Sequence, residues 1–98
     1  MEICPLADRA GVVAAGEVTL TTRTEWERAL EDLVGGPGDV HLDLSAVTFV
    51  DVAGSSTVAV TAQRLGTGRR MFVNEPPPAL RRALEMFWPD LAAIEVTM

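Results

Sequence analysis

The sequence predicts an α/β sandwich, with a sheet of about five strands and three or more helices packed against it. Three observations carry this. Short apolar runs and amphipathic stretches alternate in the order β-β-α-β-α-β-α-β. Glycine and proline clusters stand at the junctions between them. The stretch from Val40 to Leu65, VHLDLSAVTFVDVAGSSTVAVTAQRL, reads as a buried strand that turns sharply into a helix.

Ile3 to Leu6 is a short apolar strand. Ala7 to Gly11 suits a turn, and Gly11 to Leu20 supplies a second strand with Val12, Val13, Val18 and Leu20 as its apolar members. Their close spacing predicts a hairpin. Thr24-Glu25-Trp26-Glu27 has the form of a capping box, in which Thr24 caps a helix and Glu27 reaches back to it. Trp26, Leu30, Leu33 and Val34 then form one apolar stripe. Gly35-Gly36-Pro37-Gly38 stops that helix.

Val40 to Leu44 is the third strand, apolar enough to be covered on both faces. A short loop follows, then Phe49-Val50-Asp51 and a turn at Val52-Ala53-Gly54. Asp51 stands where a carboxylate caps the first free N–H groups of the next helix and meets its positive end. Gly54 lets the backbone turn or be approached closely. The β-branched residues Thr57, Val58, Val60 and Thr61 favour strand. Length, the Gly66 stop and the spacing of Val58, Ala62 and Leu65 favour helix. Ser55, Val58, Ala59, Ala62 and Leu65 should then face the sheet, and Ser56, Thr57, Val60, Gln63 and Arg64 solvent. Arg70 to Val73 is the fourth strand. Pro76-Pro77-Pro78 opens a third helix, with Leu80, Leu84, Phe87 and Trp88 as its stripe and Arg81–Glu85 paired outside. Pro89 ends it, and Ala93 to Val96 is the last strand. The expected core holds Trp26, Leu30, Leu33, Leu42, Leu44, Leu65, Leu80, Leu84 and Phe87.

Ninety-eight residues make a single domain, 1–98. With 48% hydrophobic and 22% charged residues the chain can bury a core. The formal net charge is −6, and the acid excess lies in the N-terminal half. Such a surface is a poor match for nucleic acid or anionic membranes. A lone cysteine, Cys4, excludes an internal disulfide and reads as a small buried residue of the first strand. No leader pattern and no apolar run long enough to span a membrane is found, so the expectation is a cytoplasmic protein without direct membrane insertion.

Little in the chain points to catalysis. Ser55 and Ser56 would need a base, and the only histidine, His41, lies in the third strand. There is no G-x-S-x-G elbow. One histidine cannot anchor a zinc site, so no metal or cofactor is expected. Asp43 and Asp51 read as a strand-end pairing residue and a helix cap rather than an acid–base pair. The glycine-rich 35–38 turn lacks the Lys and Ser/Thr of a phosphate loop. Arg69-Arg70 and Arg81-Arg82 read as solvated pairs.

The stretch VHLDLSAVTFVDVAGSS resembles the central motif of the STAS domain, the family of the bacterial anti-sigma factor antagonists. There an apolar strand ending in Asp-Leu-Ser leads to a short apolar segment, Asp, two small residues and Gly. The resemblance implies a single STAS-like domain with a mixed sheet and no enzymatic activity. It implies a cytoplasmic signalling module for transcription regulation, whose partner is an anti-sigma factor of the serine-kinase type. Asp51, Ala53, Gly54, Ser56, Thr57 and Val60 are the implied partner-binding residues. The family's regulatory phosphoserine directly precedes the glycine, and here that place is held by Ala53. Either the switch is lost or it has moved to Ser55 or Ser56. The resemblance also implies an alternative, a scaffold or subunit of a larger sensory or transport complex without a phosphoswitch.

Overall fold

The computed structural model describes residues 1–97. Its elements are β1 (Glu2–Pro5), β2 (Gly11–Val18), α1 (Arg23–Val34), β3 (Val40–Val50), α2 (Val52–Leu65), β4 (Met71–Asn74), α3 (Pro78–Phe87) and β5 (Ile94–Thr97). The element order is the one the sequence predicts. Five strands form one mixed sheet in the order β1-β2-β3-β4-β5. The β1–β2 hairpin is antiparallel, and every later pairing is parallel. From β2 onward each crossover advances to the next strand in the same direction. Crossovers of one hand then place every connecting helix on one face of the sheet. The core fills the space between: Val40, Leu42 and Leu44 of β3, Met71 and Val73 of β4, Trp26 and Leu30 of α1, Val58 and Ala62 of α2, and Leu80 and Leu84 of α3.

That arrangement corrects the expectation that β3 is covered on both sides. Its alternate residues His41 and Asp43 are only half-buried. They lie on a helix-free face, where His41 stacks on Phe72 of β4 with ring centroids 4.9 Å apart. Nor does a loop interrupt β3. The strand runs unbroken to Val50, but two register shifts against β2 leave Leu44–Ser45 opposite one residue and Thr48 without a partner. These are bulges. Past Leu44, burial therefore recurs at Val47 and Val50 instead of every second residue. The loss of alternation is what reads as a loop in the sequence.

The start of α1 also differs. The cap position is Thr22, not Thr24, which lies inside the helix. The Thr22 hydroxyl makes no cap bond. It donates to the Glu17 carbonyl at 2.8 Å and accepts from the Thr19 N–H at 3.0 Å, closing the turn after β2. Glu27 lies 3.8 Å from Arg23 in an i,i+4 pair rather than folding back to Thr24. With the turn fixed so early, the helix begins before the capping-box sequence. Strand β2 accordingly ends at Val18, and Leu20 stands 76% exposed on the turn instead of in the strand.

Two side chains leave the expected core, and Cys4, expected to be buried in the first strand, is not. Phe87 is 56% exposed at the last residue of α3, while Trp88, just beyond, packs against the core in its stead. Leu33 is partly buried at the core's margin. Cys4 is exposed, because its strand β1 is the hairpin's outer edge. Arg69 is not a solvated cation. Its guanidinium donates to the carbonyls of Val34, Gly36 and Gly38, at 3.2, 2.6 and 2.7 Å, and so holds the glycine-rich turn. Arg70 pairs with Glu95 of β5 at 2.8 Å.

Candidate functional site

The junction between β3 and α2 is held by hydrogen bonds from several elements. Asp51 caps α2: its Oδ1 accepts from the Gly54 N–H at 2.7 Å, satisfying a donor that the helix leaves free. The Asp51 N–H in turn donates to the Val18 carbonyl at 3.0 Å, tying the cap to the end of β2. From the other side the buried Trp26 indole Nε1–H donates to the Gly54 carbonyl at 3.1 Å. The helix start is thus fastened to β2, β3 and α1 together.

Gly54 permits this closeness. A Cβ at that position would stand 2.6 Å from Val18 Cγ1 and 2.9 Å from Val50 Cγ1, below any ordinary contact. Its role is close approach of the helix to the sheet, not an unusual backbone angle.

The helix divides as its pattern predicts. Ser55, Val58, Ala59, Ala62 and Leu65 are buried. Ser56 and Thr57 are half-buried, while Val60, Gln63 and Arg64 are exposed. The Ser55, Thr57 and Thr61 hydroxyls on the helix find partners one turn back. Ser55 Oγ donates to the Asp51 carbonyl at 2.9 Å, Thr57 Oγ1 to Ala53 at 3.1 Å and Thr61 Oγ1 to Thr57 one turn back. Ser55 is therefore both inaccessible and hydrogen-bonded. The outward face of the first turns carries Val52 (62% exposed), Ala53, Ser56, Thr57 and Val60 (45% exposed). Apart from the capping Asp51, residues 51–62 contain no charged side chain. Beside this face Ser56, Thr57, Val60 and Thr61 line a groove with Glu27 and Glu31 of α1 and Arg64, about 210 Å³ in volume.

Of the six residues expected at the site, Ala53, Ser56, Thr57 and Val60 share the outward face. Asp51 and Gly54 hold the helix start beneath them. Sequence reasoning missed Trp26 as the residue that anchors Gly54. It also missed Leu20 and Val52, which leave the sheet two residues beyond the paired Val18 and Val50 and stand exposed. The polar neighbours on both sides, Thr19 before it and Thr21-Thr22-Arg23 after it, were the available signal for Leu20.

Asp43 and Asp51 do not converge. Asp43 lies on the helix-free sheet face and accepts from the Ser45 hydroxyl at 2.7 Å and the Ser45 N–H at 3.1 Å. The Ser45 hydroxyl, then the Ser45 N–H, hold its carboxyl below the usual aspartate range against an opposing effect of partial burial. The Asn74 amide adds a weaker contribution from 3.4 Å. Asp43 lines a cavity of about 460 Å³ with His41, Arg9, Phe72, Asn74 and Thr97. Among the described residues no group of three His, Cys, Asp or Glu side chains is placed to hold a metal. No helix among them is long and apolar enough to cross a membrane.

A mixed sheet with its helices on one face, and a glycine-pinned helix following a parallel strand, define the class of STAS-type α/β domains. A family model described as "Mlab, STAS domain" matches residues 6–88, and the chain belongs to that family. Solved structures agree in fold. An anti-sigma factor antagonist from Mycobacterium paratuberculosis superposes with a TM-score of 0.73 at 26% identity, covering 98% of this chain and 86% of that one. The anti-sigma factor antagonist SpoIIAA in its unphosphorylated form gives a TM-score of 0.69 at 16% identity, covering 99% and 87%. No curated protein sequence matches the chain.

Proposed function

We propose that this protein is a non-catalytic interaction module that works as an anti-sigma factor antagonist. In this reading it binds an anti-sigma factor of the serine-kinase type through the start of α2. Ala53, Ser56, Thr57 and Val60 make the contact, and Asp51 and Gly54 hold them in place. One observation carries the reading. The helix start is locked from three sides yet presents only small, neutral side chains outward. A rigid surface loses little conformational freedom on binding, and small neutral groups let a partner approach closely. The membership in the STAS family and the likeness to the mycobacterial antagonist support the same reading.

The phosphoswitch differs from the family's. Ala53 offers no acceptor. Ser55 is buried with its hydroxyl bonded to Asp51. Ser56 is half-buried and lies two residues past Gly54, at another angle from a side chain before the glycine. Misplacement of an acceptor by about 1 Å can cost on the order of a hundredfold in transfer rate. The module then binds constitutively. The same absent acceptor favours a second reading, a STAS subunit of a larger sensory or transport complex.

The test is titration calorimetry with the serine-kinase anti-sigma factor of the source cell. Ala53→Asp places a charge in a contact of neutral groups and should weaken binding at least tenfold, with the unfolding midpoint little changed. Incubation with the kinase and ATP should leave Ser56 unmodified by mass spectrometry. No binding by the unaltered protein refutes the antagonist reading. Stoichiometric phosphate on Ser56 refutes the loss of the switch.

A further inference from the structure

We propose that the end of α3 and the outer edge of β5 form a face through which two copies of this chain pair. The face lies at the sheet margin, two strands from β3 and the helix start that follows it. Its β5 part, with Leu91, Ile94 and Val96, falls past residue 88, outside the stretch that the family model matches.

Three observations converge there. The first is exposed apolar surface. Met86 is 67% and Phe87 56% exposed at the end of α3, and Val96 of β5 is also exposed. Beside them Leu84, Trp88, Leu91, Ile94 and Val96 line a groove of about 240 Å³, together with Pro89 and with Glu85, whose charge is paired with Arg81. Projecting side chains and a groove thus lie side by side on one chain. A two-fold axis makes such a patch its own complement, each copy offering both parts.

The second is the sheet edge. The Met71 N–H donates to the Ala93 carbonyl and the Glu75 N–H to the Thr97 carbonyl, each at 2.7 Å. Residues 93, 95 and 97 therefore turn toward β4, and the backbone groups of Val96 turn outward. At the opposite edge β1 carries Pro5 and Glu2, two common guards against edge pairing. Strand β5 has no proline, and its one acid, Glu95, is paired with Arg70. Antiparallel pairing of β5 with its copy keeps Ile94 and Val96 on the helix side in both chains.

The third is charge. The net charge of −6 would oppose self-association over most of the surface. After Leu65, however, Arg69, Arg70, Arg81 and Arg82 balance Glu75, Glu85, Asp90 and Glu95. This third of the chain is neutral, and the whole charge of −6 lies before it. Pairing at this end therefore brings less like charge together than pairing through the acidic part. A pair joined at β5 leaves both α2 starts free and presents two docking faces on one particle.

Sedimentation velocity and light scattering on the whole chain, from micromolar to ~0.5 mM, test the proposal. The mass should rise from the 10.5 kDa of one chain toward twice that value with concentration. Phe87→Asp and Val96→Pro should each hold it at one chain throughout. Both substitutions fall on groups that face solvent in a single copy, and proline is tolerated where the edge N–H points outward. Leu20→Asp, on an exposed turn elsewhere, should leave the dimer intact. Circular dichroism melts confirm that each variant is folded. A wild-type mass of one chain at ~0.5 mM overturns the proposal. So does a dimer that survives both edge substitutions, or one that Leu20→Asp dissociates while Phe87→Asp does not.

Discussion

Replacing Gly54 by alanine sets two effects against each other at one atom. In an open helix the change is favourable by roughly 1 kcal/mol, because glycine loses more backbone freedom than alanine. Here the new methyl stands 2.6 Å from Val18 Cγ1 and 2.9 Å from Val50 Cγ1. Both valines are β-branched, stiff and buried, so neither can swing aside into solvent. Overpacking of this kind costs typically ~1–3 kcal/mol, and two contacts this short on side chains that cannot yield put it in the upper half of that range. Moving the helix outward instead would stretch the Trp26 indole bond to the Gly54 carbonyl and the Asp51 tie to Val18. The net expectation is a loss of about 1–2 kcal/mol, since the packing cost exceeds the propensity gain. Urea denaturation followed by circular dichroism measures it. A double-mutant cycle with Val18→Ala isolates the cause. Val18→Ala alone opens a cavity, and the methyl at position 54 should partly fill it, giving a favourable coupling above ~0.5 kcal/mol. A Gly54→Ala protein as stable as the original, or strictly additive losses, would refute close approach as the role of the glycine.

The remaining predictions bear on the same supports. Trp26→Phe keeps most of the ring but leaves the Gly54 carbonyl without its indole donor, and should cost about 1–3 kcal/mol in urea melts. Leu84→Ala, at a buried core position of α3, should cost roughly 2–4 kcal/mol. A loss below ~0.5 kcal/mol would mean that the core does not rely on this helix face. Ser45→Ala removes the strongest bond to Asp43, so the Asp43 carboxyl should titrate closer to the usual range by NMR. Because the folded-state pKa is depressed, the stabilisation is fully present above the ordinary aspartate pKa, about 3.9, and fades as pH falls through the folded value. The stability gap between Ser45→Ala and the original protein should therefore exist at neutral pH, stay under about 1 kcal/mol because the bond is exposed, and close in acid.

The order of elements was legible because each has a local signature: a glycine stop, a proline start, a stripe at helical spacing. The Asp51 cap was legible for the same reason, since the carboxylate and the Gly54 N–H that it accepts from are three residues apart. Features set by distant partners were not. Trp26 reads as a core aromatic, and nothing near it in sequence shows that its indole meets a carbonyl 28 residues away. Arg69 reads as a surface cation, yet it holds a turn more than thirty residues upstream. Thr24 failed as a cap because two motifs competed for one helix end, and Thr22, bonded back to Glu17, closed the turn first. Phe87 fits its helical stripe by spacing, but α3 ends there, and Trp88 beyond the end takes the inward place.

The agreement between chain order and sheet order bears on how the molecule is assembled. Each strand from β2 onward joins the margin left by the strand made just before it. No strand must be inserted between two already paired, so folding can proceed by addition. Everything that fixes the start of α2 lies within the first 65 residues: β2, Trp26, β3, Asp51 and Gly54. During synthesis at roughly 5–20 residues per second, those parts leave the ribosome seconds before β5 does. Limited proteolysis of ribosome-bound chains halted at increasing lengths should show protection spreading from the β2–β3 pair toward β5. Protection that arises everywhere at once, only on release of the whole chain, would show that the strands join together in a single step.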